Sequence, residues 1–116
     1  MTAARRLVEI RSYQLHPGQG AALHEAVRTR AVPMLRAWGT EVVAFGPSPH
    51  APDTYCLIRA YDSLADREAR QAAFYGSDEW RQGPREAIVG AIASYLDTVL
   101  WLDDAGVAAL KTSLGD

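Results

Sequence analysis

The order of elements predicts an α+β fold, a ferredoxin-like βαββαβ unit, and three observations carry that expectation. Residues 7–15 and 55–61 each alternate small side chains with large ones that mostly carry polar tips, which is the period of a strand. Between them Leu23, Ala26, Val27, Ala31, Met34, Leu35 and Trp38 recur at helical spacing. After the second strand, Asp62-Ser63-Leu64-Ala65-Asp66 supplies a capping side chain and acids for the first turn of another helix.

Taken in order, residues 7–15 form the first strand, ended by His16-Pro17-Gly18. A helix follows from about residue 19 to residue 38, kinked or split at Pro33 and stopped by Gly39. Residues 41–45 read as a short second strand. A proline-rich connection, residues 46–53, leads into the strand at 55–61 and its helix, which runs through Phe74. Ser77 or Asp78 opens a short helix that Gly83-Pro84 breaks, and a further helix contains Ile88, Val89 and Ile92. Residues 95–102 are the last strand. The expectation is one domain over residues 1–116, its core from about 6 to 103, with a C-terminal tail at 104–116 holding one helical turn near 107–111.

A chain of 116 residues, 48 % hydrophobic and 22 % charged, is long enough to bury its own core. The net charge of -2 gives no basic field, so nucleic acid is not an expected partner. A single cysteine, Cys56, excludes an internal disulfide. No apolar run approaches the roughly 20 residues of a membrane span. Glu9 and Arg11 interrupt any signal core behind Arg5 and Arg6, so a cytoplasmic location is expected.

The two alternating strands set one surface of large residues against one of small ones. Cys56, Ile58 and Ala60, with Val8, Ile10 and Ser12, suit the side that lies under helices. Leu7, Glu9, Arg11, Tyr13, Tyr55, Leu57, Arg59 and Tyr61 then fall on the opposite, bare side. That side is too apolar and aromatic to face water, so an isologous homodimer covering it is expected.

Three segments resemble those of NIPSNAP-domain proteins. Residues Val8 to Gly18 are similar to the family's opening strand and turn, Arg59 to Glu68 to its strand-to-helix segment, and Ser77-Asp78-Glu79-Trp80 to its following turn. The resemblance spans nearly the whole chain and implies a dimeric α/β barrel. Relatives sharing only that fold include cofactor-free monooxygenases, haem-handling enzymes, isomerases and stress-response dimers, so fold alone does not name a reaction.

The candidate site is the set of large polar residues. Arg11 and Arg59 would hold a carboxylate or enolate, Tyr13, Tyr55 and Tyr61 would donate to a carbonyl, and Glu9 would act as base if burial raised its pKa. The competing reading is a buried ion pair, with Glu9 satisfying Arg11 or Arg59 across the strands. His16, at the end of the first strand, and His24, at the border of the helix stripe, are further candidate bases; His16 is otherwise a solvated turn residue and His24 a partly exposed helix residue. His50 sits in the proline-rich loop as a lid residue or a plain loop residue. Trp101 could line a ligand cavity, while Trp38 and Trp80 read as packing residues. Asp66, Arg67, Glu68 and Arg70 read as a solvated helix face. No His-x-x-x-His or Cys-x-x-Cys spacing exists, so no metal is expected, and no cofactor.

Together these readings describe a dimeric small-molecule-binding protein or a cofactor-independent enzyme, of monooxygenase or isomerase type, for an apolar or aromatic substrate. The alternative is a non-catalytic dimeric protein-interaction module with a filled barrel. A haem-binding variant stands third and needs a histidine facing an open cavity.

Overall fold

The computed structural model describes residues 5–114; residues 1–4 and the last two residues of the expected tail lie outside the described residues. Four antiparallel strands, β1 (Arg5–Leu15), β2 (Glu41–Pro47), β3 (Thr54–Tyr61) and β4 (Ile92–Asp103), form one sheet in the order β2-β3-β1-β4. The first helical segment is α1 (Gly20–Ala26), a π-helical stretch (Val27–Ala31) and α2 (Val32–Ala37). Then come α3 (Leu64–Tyr75), α4 (Asp78–Gln82), α5 (Arg85–Val89) and α6 (Asp104–Leu114). This is the expected ferredoxin-like α+β order with short helices added before the last strand.

Local chemistry places the boundaries. Ser63 Oγ accepts from the Asp66 amide at 3.0 Å and Ser77 Oγ from the Trp80 amide at 3.2 Å, so each hydroxyl caps the helix that follows it. Gly39 has φ +87°, a left-handed conformation that ends α2 without steric cost. The departure from α geometry lies just before Pro33, not at it. Proline offers no N–H to the preceding turn, and the π stretch, where the Val32 amide reaches the Val27 carbonyl, re-spaces the bonding ahead of it.

Two expectations are corrected. The sheet face carrying Leu7, Glu9, Arg11, Tyr13, Tyr55, Leu57, Arg59 and Tyr61 lies under the helices and is buried; it is not the bare face. Polar tips do not require water when they bond one another, and only long side chains fill the space between sheet and helix. Tyr13, Tyr55 and Leu57 join Leu23, Val32, Phe74 and Trp80 in the larger core. The second correction concerns the tail, which is a helix over Asp104–Leu114. Asp103 Oδ1 accepts from the Gly106 amide at 2.7 Å, and Val107 packs with Val8, Val43, Ile58 and Ala60 on the other face of the sheet. Lys111 Nζ reaches Glu41 Oε2 at 2.5 Å and ties the helix to β2.

Candidate functional site

The site begins with strand register. Glu9 pairs with Arg59 on β3 and Val99 on β4, while Arg11 pairs with Leu57 and Asp97, so two acids and two arginines share one side of three adjacent strands. Above them α3 contributes Arg67, Gln71 and Tyr75, four residues apart and therefore in one row.

These groups form one connected network. Arg59 Nε donates to Glu9 Oε1 at 2.9 Å, its Nη2 binds the same oxygen, and its Nη1 donates to the Tyr75 hydroxyl at 2.8 Å. Glu9 Oε2 accepts from Arg67 Nε at 2.7 Å and from Gln71 Nε2 at 2.8 Å. Gln71 Nε2 also donates to the Tyr61 hydroxyl at 3.2 Å. Arg11 grips Asp97 with both edges of a fork, Nε to Oδ1 at 2.7 Å and Nη2 to Oδ2 at 3.0 Å, and Arg67 Nη2 shares that Oδ2 at 3.0 Å.

Burial alone would push the Glu9 carboxyl up, but Arg59, the Gln71 hydrogen bond and Arg11 together hold it below the ordinary carboxylate range. Burial acts the same way on Asp97, and the hydrogen bond and charge of Arg11, with Arg67, outweigh it. Glu9 is thus an ionised acid at neutral pH with its oxygens occupied. A general base needs the reverse shift. The phenols move the other way: burial, with neighbouring phenols, drives Tyr13 and Tyr55 above the ordinary tyrosine value, and burial raises Tyr61 too. All three remain protonated.

The sheet-to-helix space is filled at the Glu9–Arg59 end and open at the Arg11 end. There a cleft of about 540 Å³ lies between β1 and β4 on one side and α3, α4 and α5 on the other. Arg11, Tyr13, Tyr75 and Tyr95 form its polar wall, with Arg85 as its other lining guanidinium. Trp80, Ile88, Val89, Ile92 and Ala93 supply an apolar surface, and Ser94 completes the lining. The Arg11 guanidinium stacks over the Tyr95 ring at 4.7 Å and lies 6.0 Å from the Tyr75 centroid. Among the described residues no carboxylate and no imidazole lines this cleft. A second groove, of about 440 Å³, runs beside β2, where Glu41 is paired with Lys111 and Arg6.

The expected site residues therefore divide. Arg11 and Tyr13 line the cleft. Glu9, Arg59 and Tyr61 lie behind its wall in the network. Tyr55 is in the core and its hydroxyl bonds His24 Nδ1 at 2.7 Å, away from the cleft. His16 is exposed at the turn, where its amide donates to the Ala91 carbonyl at 2.9 Å. Neither histidine lines the cleft, nor does His50, which pairs with Ser48 in its loop. Trp101 faces the same side as Leu7 but sits far along β4, 43 % exposed, with Arg5 over its ring at 5.4 Å. Arg67 is corrected: it is no solvated helix residue but bonds both Glu9 and Asp97.

The sequence reading missed Asp97, Gln71, Tyr75 and Tyr95. Two signals were available. Asp97 is the one charged residue between Tyr95 and Leu102, a mostly apolar strand segment, which calls for a counter-charge. Residues 67, 71 and 75 keep one helical row and are all capable of hydrogen bonding.

A ferredoxin-like sheet with its polar cleft on the helical side defines a class of small α+β proteins. The chain belongs to the NIPSNAP family, whose model matches residues 8–101. It is similar to a NIPSNAP family protein of unknown function from Agrobacterium tumefaciens, at 23 % identity over 86 % of this chain and 90 % of that one, with a TM-score of 0.78. A second NIPSNAP family protein from that organism matches at 18 % identity over 93 % and 95 %, with a TM-score of 0.79. A protein from Nitrosomonas europaea described as a candidate antibiotic biosynthesis monooxygenase shares the fold at 18 % identity over 81 % and 95 %, with a TM-score of 0.61. No curated protein matches. Among the described residues no helix is long and apolar enough to cross a membrane.

Proposed function

We propose that this chain is a homodimeric small-molecule-binding protein whose cleft beside Arg11 receives an apolar, aromatic compound. The observation that carries this is the guanidinium of Arg11, 9 % exposed and ringed by Tyr13, Tyr75 and Tyr95, facing the apolar surface of Trp80, Ile88, Val89, Ile92 and Ala93. Any chemistry there is cofactor-independent and rests on charge stabilisation by Arg11 and on phenol donors. Glu9 is a positioning residue in this reading: it fixes Arg59 and Arg67, and these with Asp97 hold the wall in place.

The dimer half of the proposal rests on the opposite sheet face. Helix α6 covers the end near Val8 and Ala60. Leu96, 77 % exposed, lies on the uncovered remainder of that face with Ser12 and Cys56. A second copy laid sheet to sheet would bury Leu96 there.

Native mass spectrometry of freshly purified protein tests both halves. The expected species is twice the 12.7 kDa chain mass, carrying an added small mass that disappears in Ala93→Phe, a variant that fills the cleft. A monomer would remove the dimer. An added mass that survives Ala93→Phe would remove the cleft.

A further inference from the structure

The network behind the cleft is not electrically balanced. It holds three guanidiniums, Arg11, Arg59 and Arg67, against two carboxylates, Glu9 and Asp97. Glu9 and Arg59 have no exposed side-chain surface, so their charges are screened by each other more than by solvent. One positive charge is left over. Among the described residues Arg11 is the one charged member of the network that lines the cleft, and the other charged lining group, Arg85, is also a cation, paired with Glu86 at 2.9 Å.

The hydrogen-bond geometry directs that surplus the same way. Nε and Nη2 of Arg11 are committed to Asp97, whereas Nη1 reaches the Tyr75 hydroxyl at 3.4 Å, a long contact that a better acceptor would displace. Tyr75 in turn accepts from Arg59 Nη1 at 2.8 Å, which leaves its own proton free to point at a ligand. An Arg N–H and a tyrosine O–H side by side suit the two oxygens of a carboxylate.

We infer that the ligand of this cleft is an apolar carboxylate, its charged end held by Arg11 Nη1 and the Tyr75 hydroxyl and its body lying against Trp80, Ile88 and Val89. This rests on the proposed small-molecule cleft and specifies the chemistry of its occupant. The loaded site would bring the network to neutrality, which an uncharged ligand of the same shape cannot do.

Calorimetric titration with 2-naphthoate and with its neutral isostere 2-naphthamide decides the matter in the unaltered protein. The inference expects the acid to bind about tenfold tighter or more, the increment of a charge-assisted hydrogen bond. Asp97→Asn, which removes one compensating charge and loosens the grip on Arg11, should raise the preference for naphthoate further; a purely structural Asp97 would leave that ratio unchanged. Equal affinities, or a preference for the amide, would overturn the carboxylate assignment while the cleft itself stands. If neither probe binds, or if Ala93→Phe does not weaken binding, the cleft and the assignment fall together.

Discussion

The Glu9 carboxylate and the Arg59 guanidinium face each other across β1 and β3 with neither side chain exposed, joined by a 2.9 Å hydrogen bond from Arg59 Nε to Glu9 Oε1. This pair decides what the adjoining cleft can be. It closes the deep end of the sheet-to-helix space, occupies the carboxylate expected as a base, and fixes Tyr75 from behind.

Breaking the pair from one side leaves the buried Glu9 Oε1 without its Arg59 donors, while Arg67 and Gln71 keep Oε2. Arg59→Met should therefore destabilise the protein by about 3–5 kcal/mol, read as a lower urea midpoint with an unchanged slope. Adding Glu9→Leu should recover part of that loss, because the buried oxygen left without donors is removed with it. A nearly neutral Arg59→Met would show that solvent reaches Glu9.

Acid should unfold the protein through the same groups. Glu9 and Asp97 both have folded-state pKa values below the ordinary carboxylate range. Their contribution is complete above the unfolded carboxylate value of about 4 and is lost as the pH falls through the lower folded values. Stability measured from pH 7 downward should fall below about pH 4, and Glu9→Gln should flatten that fall. An unchanged profile in Glu9→Gln would assign acid sensitivity elsewhere.

Leu96→Arg tests the uncovered sheet face. Sedimentation should show a monomer whose circular dichroism matches the parent, since Leu96 supports no packing within one chain at 77 % exposure. A Leu96→Arg dimer would place the subunit contact on another surface.

The last helix offers a separate check. Val107 is 4 % exposed against Val8 and Val43, so Val107→Ala should cost roughly 1–3 kcal/mol in chemical denaturation. No measurable cost would mean that α6 frays from the sheet in solution.

Much of the fold was legible because its signals are local. The alternation at residues 55–61, the Ser63 cap and the stop at Gly39 each act within a few residues of themselves. The direction of the sheet was not legible. In alternating Glu9, Arg11 and Tyr13, large polar-tipped side chains suit a face covered by a second subunit as well as one covered by helices, and only the distant Arg67, Gln71 and Asp97 place it under α3. Their separations from Glu9 along the chain exceed any window that periodicity can read. The terminal helix was understated for a related reason: Val107 and Leu110 are a thin apolar signal until β2 and β1 are beneath them. Within the site, the cross-strand partnership of Glu9 and Arg59 was among the expected readings, whereas the open space beside Arg11 depends on where α3, α4 and α5 sit.

A backbone-amide NMR titration of the protein with 2-naphthoate locates the bound ligand. Shifts should concentrate at Arg11, Tyr75, Trp80, Ile88 and Tyr95, around the cleft. Shifts confined to Leu96 and Cys56 on the opposite sheet face, or none at saturating naphthoate, would contradict that placement.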